Sequence, residues 1–199
     1  MNIISILSMT AAALAMSSVQ AATPPDSPCS ANFVTTGVYR NVNFGFTIRI
    51  PKGLKAKWSS PPCSLGPASD DCVCMNDHGR TIELDGGGTI GIYADHNAMA
   101  WTLPTTAFED LNDFKRAESG GELSVVQLDR ITWEAMPAYR YVARSDGAGE
   151  AIVRESVVAT TRHGEDTFFL YIQAPQKQYD KYRTAFNSML GSWRVSPIQ

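Results

Sequence analysis

Between Glu122 and Ala174 the chain carries four strand-like apolar segments, 122–130, 137–145, 151–162 and 166–174, joined by connections of only a few residues. Parallel neighbours need a crossover of a dozen residues or more, so segments this close together must pair antiparallel. Asp146-Gly147 and the run His163-Gly164-Glu165-Asp166 supply turn chemistry between them. Upstream, Phe44, Phe46, Ile48 and Ile50 alternate onto one face of a further strand, which Pro51-Lys52-Gly53 ends.

Thr81–Asp85 and Thr89–Ala94 flank Gly86-Gly87-Gly88 and read as a β-hairpin. A phosphate cradle would need a helix N-terminus directly after the glycines, whereas Thr89 to Tyr93 alternates like a strand. Counting outward from a three-glycine loop pairs Asp85 with Thr89, Leu84 with Ile90, Ile82 with Ile92, Arg80 with Ala94 and His78 with His96. Opposed strand residues hold their Cβ atoms about 4.5 to 5.5 Å apart, which makes His78 and His96 candidates for sharing a divalent metal or a proton. The neighbouring Asp77 and Asp95 alternate to the other face and are not obvious co-ligands. The competing expectation is a splayed or bulged strand end with two ordinary histidines at the rim. No other cofactor is implied.

Two helices complete the pattern. Pro104, followed by Thr106-Ala107-Phe108-Glu109 as a capping box, and Phe108, Leu111 and Phe114 at helical spacing predict a helix over 105–118 that Gly120-Gly121 stops. Pro175 opens a second, with Tyr179, Tyr182, Phe186, Met189, Leu190 and Trp193 as its apolar stripe. Strands dominate and each helix has one face to bury. The expected class is therefore α+β, a mostly antiparallel sheet covered by two main helices.

The first 21 residues carry an apolar run from Ile3 to Met16, no acidic residue, and a small-x-small end at Val19-Gln20-Ala21. They are expected to be a secretory signal peptide, although the n-region has no Lys or Arg. A Pro/Ser-rich leader and first strand over 22–38 then precede a single globular domain over 39–199, with a Cys-rich insert at 59–78. No later stretch reaches the 20 or so apolar residues of a membrane span. All four cysteines, Cys29, Cys63, Cys72 and Cys74, follow the leader cut, and an even count in a periplasmic or secreted chain reads as two disulfides. A Cys72–Cys74 bridge would close a very small strained ring, so each is expected to pair with Cys29 or Cys63, in either order. Zinc is the rival for this set, but C-x-x-C spacing is missing.

Seventeen Lys and Arg against twenty Asp and Glu give a net charge of −3, which leaves no basic surplus to hold a nucleic-acid backbone. Tyr39-Arg-Asn41-Val-Asn-Phe44-Gly45-Phe46-Thr-Ile48-Arg-Ile50-Pro51 resembles the opening of PsbP-like α/β/α sandwich proteins. The closing Thr167-Phe-Phe-Leu-Tyr-Ile, then Tyr179, Tyr182 and Phe186-Asn-Ser-Met-Leu-Gly-Ser-Trp-Arg, is similar to that family's last strand and helix. The resemblance spans Tyr39 to Val195, without the Cys-rich insert. It implies a mostly non-catalytic protein outside the cytosol, working as an assembly factor, accessory subunit or binding protein.

The chain has neither a G-x-S-x-G elbow nor an H-E-x-x-H helix, and the adjacent loop acids Asp70, Asp71 and Asp77 lack EF-hand spacing. The favoured reading is an exported, non-enzymatic domain acting by protein contact, as an accessory factor or an inhibitor of immunity type, with an exported toxin or an envelope complex as partner. The alternative is a periplasmic hydrolase or metal-binding protein. Of the four tryptophans, Trp193 belongs to the helix stripe, whereas Trp58 and Trp101 stand near strand or loop ends as partner-binding candidates, one of them expected to be more than half exposed.

Overall fold

The computed structural model describes residues 34–58, 78–118, 121–146 and 149–195. The leader, all four cysteines, Asp70, Asp71, Asp77 and the side chain of Trp58 lie outside the described residues. The elements are β1 (Val34–Thr35), β2 (Gly37–Asn41), β3 (Phe46–Ile50), β4 (Ala56–Trp58), β5 (Gly79–Glu83), β6 (Thr89–His96), α1 (Leu103–Ala117), β7 (Glu122–Trp133), β8 (Met136–Asp146), β9 (Ile152–Thr160), β10 (Asp166–Pro175), α2 (Gln176–Ser192) and β11 (Arg194–Val195). Eight strands form one sheet in the order β1-β4-β5-β6-β10-β9-β8-β7, and three form a second in the order β11-β3-β2. Every described strand pair is antiparallel.

Alternation divides the large sheet into two faces. One face carries Ile90, Ile92, Phe168, Leu170, Ile172 and Val157, and is covered by α2 and the small sheet through Phe46, Ile48, Phe186, Met189 and Trp193. The other carries Tyr141, Ala143 and Val158 beneath Ala107 and Phe114 of α1. The result is an α/β/α sandwich. Trp193 is fully buried at its centre, stacked on Phe46 with ring centroids 4.2 Å apart and tilted against Trp133 at 4.6 Å.

The hairpin register differs from the count made on the glycines. Glu83 pairs with Thr89, Ile82 with Ile90 and Arg80 with Ile92, so the loop spans Leu84 to Gly88. Leu84 N donates to Gly88 O at 3.0 Å and Gly87 N to Leu84 O at 3.0 Å, closing a five-residue connection in which all three glycines take positive φ. Leu84 stays buried at the start of this wider loop, whose three successive positive-φ conformations only glycine adopts readily. A slip of two residues preserves the faces but moves every partner: His78 lies opposite Ala94, not His96.

The first helix also begins earlier than expected. Thr102, not a box starting at Thr106, is the N-cap: its hydroxyl accepts from Thr105 N, and Pro104 sits in the first turn, where a missing N–H is tolerated. Thr106 is inside the helix, its hydroxyl donating to Thr102 O. Phe114 is buried as the stripe requires, but Phe108 is 60% exposed. The two-residue turn Glu134-Ala135, at φ +49° and +63°, joins β7 to β8 and suits the twist of a hairpin.

Replacing Trp193 by Ala should lower unfolding free energy by about 3 to 5 kcal/mol, as for other fully buried aromatic truncations. Urea denaturation followed by far-UV circular dichroism measures this loss.

Candidate functional site

Helix α1 packs mainly on β8 and β9, and the sheet continues past it on both sides. Beneath the helix, Asp110 is buried and collects three donors: Tyr141 Oη at 2.6 Å, Ser156 Oγ at 2.6 Å and the Arg154 guanidinium. Arg154 also donates through Nη1 to Gln173 Oε1 at 3.0 Å, and its Cζ lies 4.0 Å from the Tyr171 ring centroid. Burial works against the Arg154 charge, but the Asp110 carboxylate, with Tyr141 behind it, more than offsets this and leaves its pKa raised. Burial, then the Asp110 charge, also holds the Tyr141 phenol far above its ordinary value. Tyr171 is raised by burial and next by Tyr93. With its hydroxyl given to Asp110, Ser156 is engaged structurally and is not poised as a nucleophile.

Two openings flank the helix. Towards β7 lies a groove of about 220 Å³ lined by Pro104, Ala107, Phe108, Leu111, Val125, Leu128, Tyr139 and Tyr141, with no charged side chain among them. A β-bulge shapes it: Val125 pairs with Ala143, Gln127 with Val142, and Val126 is the extra residue. The bulge shifts the alternation by one, so Val125 and Leu128 both face α1. Phe108 and Leu128, which line it, are each 60% exposed. Towards β6 and β10 lies a polar cleft of about 490 Å³ lined by His78, Tyr93, Asp95, Asp110, Asp113, Arg154, Phe169, Tyr171 and Gln173, among others.

The two histidines are neighbours but not an opposed pair. Both rings pack on Phe44, with centroids 5.8 Å away for His78 and 4.8 Å for His96. His96 Nδ1 lies 2.6 Å from Asp166 Oδ1; His78 Nδ1 lies 3.2 Å from Ala94 O and 3.5 Å from Asp95 Oδ1. Each ring is thus held through Nδ1. Among the described residues no three His, Cys, Asp or Glu side chains are grouped to hold a metal. Trp101 is 40% exposed, and its backbone N–H and C=O are tied to the Asn97 side chain.

The groove was not among the sequence candidates, because Phe108 reads as part of a buried stripe and the bulge leaves no local signature. The buried network did leave one. Arg154-Glu155-Ser156 interrupts an otherwise apolar central strand, and charges there must be matched from the layers above and below.

No protein-family model matches the chain, and no curated protein matches it in sequence. Solved structures do match in shape. Cyanobacterial PsbP (CyanoP) from Synechocystis sp. PCC 6803 aligns with a TM-score of 0.55 and 11% identity, covering 89% of this chain and 99% of that one. The Ran-binding protein Mog1p of Saccharomyces cerevisiae gives 0.53 and 9%, covering 82% and 96%. LpqN of Mycobacterium tuberculosis, involved in cell envelope biogenesis, gives 0.50 and 12%, covering 83% and 93%. The chain has the PsbP-like α/β/α sandwich fold.

Asp110→Ala should destabilise the protein by about 3 to 5 kcal/mol, because it strands the Arg154 charge in the sheet–helix layer. Chemical denaturation of the variant reads this directly. Tyrosines whose folded pKa is raised stabilise the fold below the unfolded value and withdraw that stability above it. With Tyr141, Tyr171 and Tyr179 all raised, unfolding free energy should fall as pH climbs past about 10. Their phenolate absorbance should emerge together with unfolding.

Proposed function

We propose that this chain is an exported, non-enzymatic binding protein whose groove between α1 and β7 seats apolar side chains of a protein partner. The carrying observation is the contiguous, uncharged groove lined by Phe108 and Leu128, both mostly exposed, beside a twelve-residue strand at the sheet edge. Exposed apolar clusters of this kind mark interaction surfaces, and a long edge strand left uncovered is a liability that a partner relieves. Mog1p, of like fold, is a Ran-binding protein, and LpqN is involved in cell envelope biogenesis. The first description accords with work by contact. The leader segment, with four cysteines after it, supports a periplasmic or secreted location and a partner there, either an envelope complex or an exported toxin.

A divalent metal at His78 and His96 is the second reading, favoured by the shared packing on Phe44 and by Nδ1 anchoring, which leaves both Nε2 atoms as the ligating positions. Zinc titration tests it: chelation by the pair requires binding by the wild type that His96→Ala loses.

Leu128→Lys places a charge in the groove at an exposed position, so stability should change by no more than about 0.5 kcal/mol. Affinity capture from the periplasm should return a stoichiometric partner with the wild type and lose it with Leu128→Lys. Retention of the partner by the variant would overturn the groove as the docking site. Thiol alkylation before reduction should label none of Cys29, Cys63, Cys72 and Cys74; any labelled cysteine counts against two disulfides.

A further inference from the structure

The polar cleft on the other side of α1 has a floor of two tyrosines. Tyr93 and Tyr171 lie parallel within 3°, their centroids 5.9 Å apart. Both rings lean over Gly91, where a Cβ would collide with each of them, so the bare backbone of that residue is what lets the pair lie flat. One ring already holds a guanidinium. Arg154 is 4.0 Å above Tyr171, with its charge matched by the Asp110 carboxylate.

A second tyrosine and carboxylate, both on the neighbouring strand, line the same cleft, and among its lining residues the one guanidinium is that of Arg154. Asp95 follows Tyr93 by two residues and so shares its face of β6. Its carboxylate is 65% exposed, and its recorded ionic neighbour is His78, 3.5 Å away. Asp113, on the opposite wall, is ion-paired with Arg116, and Arg154 is held down by Asp110 and Gln173. We propose that this cleft binds a guanidinium-bearing ligand, with Tyr93 as the stacking face and Asp95 as the counter-ion, repeating the arrangement that Tyr171 and Asp110 make around Arg154. A planar guanidinium can stack and accept a carboxylate side-on at once, which an ammonium cannot. An anionic ligand is opposed, because the carboxylates of Asp95, Asp110 and Asp113 outnumber the one lining arginine.

Isothermal titration with L-arginine, with acetyl-Gly-Arg-Gly-amide and with L-lysine tests this site independently of the α1–β7 groove. Arginine should bind saturably, and lysine about fivefold or more weakly. Asp95→Asn, at an exposed position, should weaken arginine about tenfold. Tyr93→Leu should weaken it comparably, while Tyr93→Phe stays within about twofold because the ring face is kept. Tighter binding of the peptide identifies an arginine of a partner chain as the source; equal or weaker binding identifies a free guanidinium compound. Absence of binding by both, equal affinity for lysine, or an Asp95→Asn variant that binds like the wild type would overturn the proposal.

Discussion

Arg154 and Glu155 stand side by side on β9, one strand in from the centre of the fold, and alternation sends them to opposite faces of the sheet. Both are buried, and a buried charge is tolerated only with a matched partner. Arg154 finds Asp110 of α1. Glu155 receives Arg140 Nε at 2.7 Å from β8 and the Tyr179 hydroxyl at 2.6 Å from α2, with Arg183 3.4 Å away. Helix α1 is therefore tied to the sheet by the carboxylate that matches Arg154, and α2 by the Tyr179 hydroxyl and Arg183, which add to the Arg140 pairing of Glu155 within the sheet. Apolar contacts alone tolerate sliding, whereas these pairs admit one placement of each helix.

That placement determines which surfaces remain open. Eight strands at about 4.8 Å span roughly 35 Å, while a helix with its side chains is only about 10 to 12 Å across. Opposite α1, the small sheet and α2 share the task of covering. On its own face α1 is the one covering helix among the described residues and lies mainly over β8 and β9, so sheet emerges on either side of it. The apolar groove and the polar cleft are these two margins, and the Tyr141–Asp110–Arg154 chain runs beneath the helix from one to the other.

What the sequence disclosed follows the range of the interactions involved. The antiparallel sheet, the stripe of α2 and the burial of Trp193 were legible, because alternation and helical spacing are repeated over many residues. The start of α1 was misplaced by a local choice between two threonines, each with suitable chemistry, of which only Thr102 is positioned to cap. The hairpin register turned on loop length: three successive glycines at positive φ close a five-residue loop from Leu84 to Gly88 rather than a three-residue one, which separated His78 from its expected partner. The resemblance on Tyr39 to Pro51 and Thr167 to Arg194 reached the right fold through core patterns, and core patterns say little about surfaces. Both openings depend on residues from α1 meeting distant strands, and nothing in local spacing announces such a meeting.

The bulge at Val126 has a further meaning for the strand that contains it. Before it, Leu123 and Val125 belong to the layer under α1; after it, Ile131 and Trp133 belong to the layer under α2. Leu128, beyond the bulge, continues on the α1 side the row that Leu123 and Val125 begin, so the inserted residue changes which residue numbers face which layer. The phase of this strand, rather than the identity of any side chain in it, divides its allegiance between the two halves of the sandwich. Deleting Val126 would leave every cross-strand partner of β7 in place and restore unbroken alternation, with Leu123, Val125 and Leu128 still in one row on the α1 side.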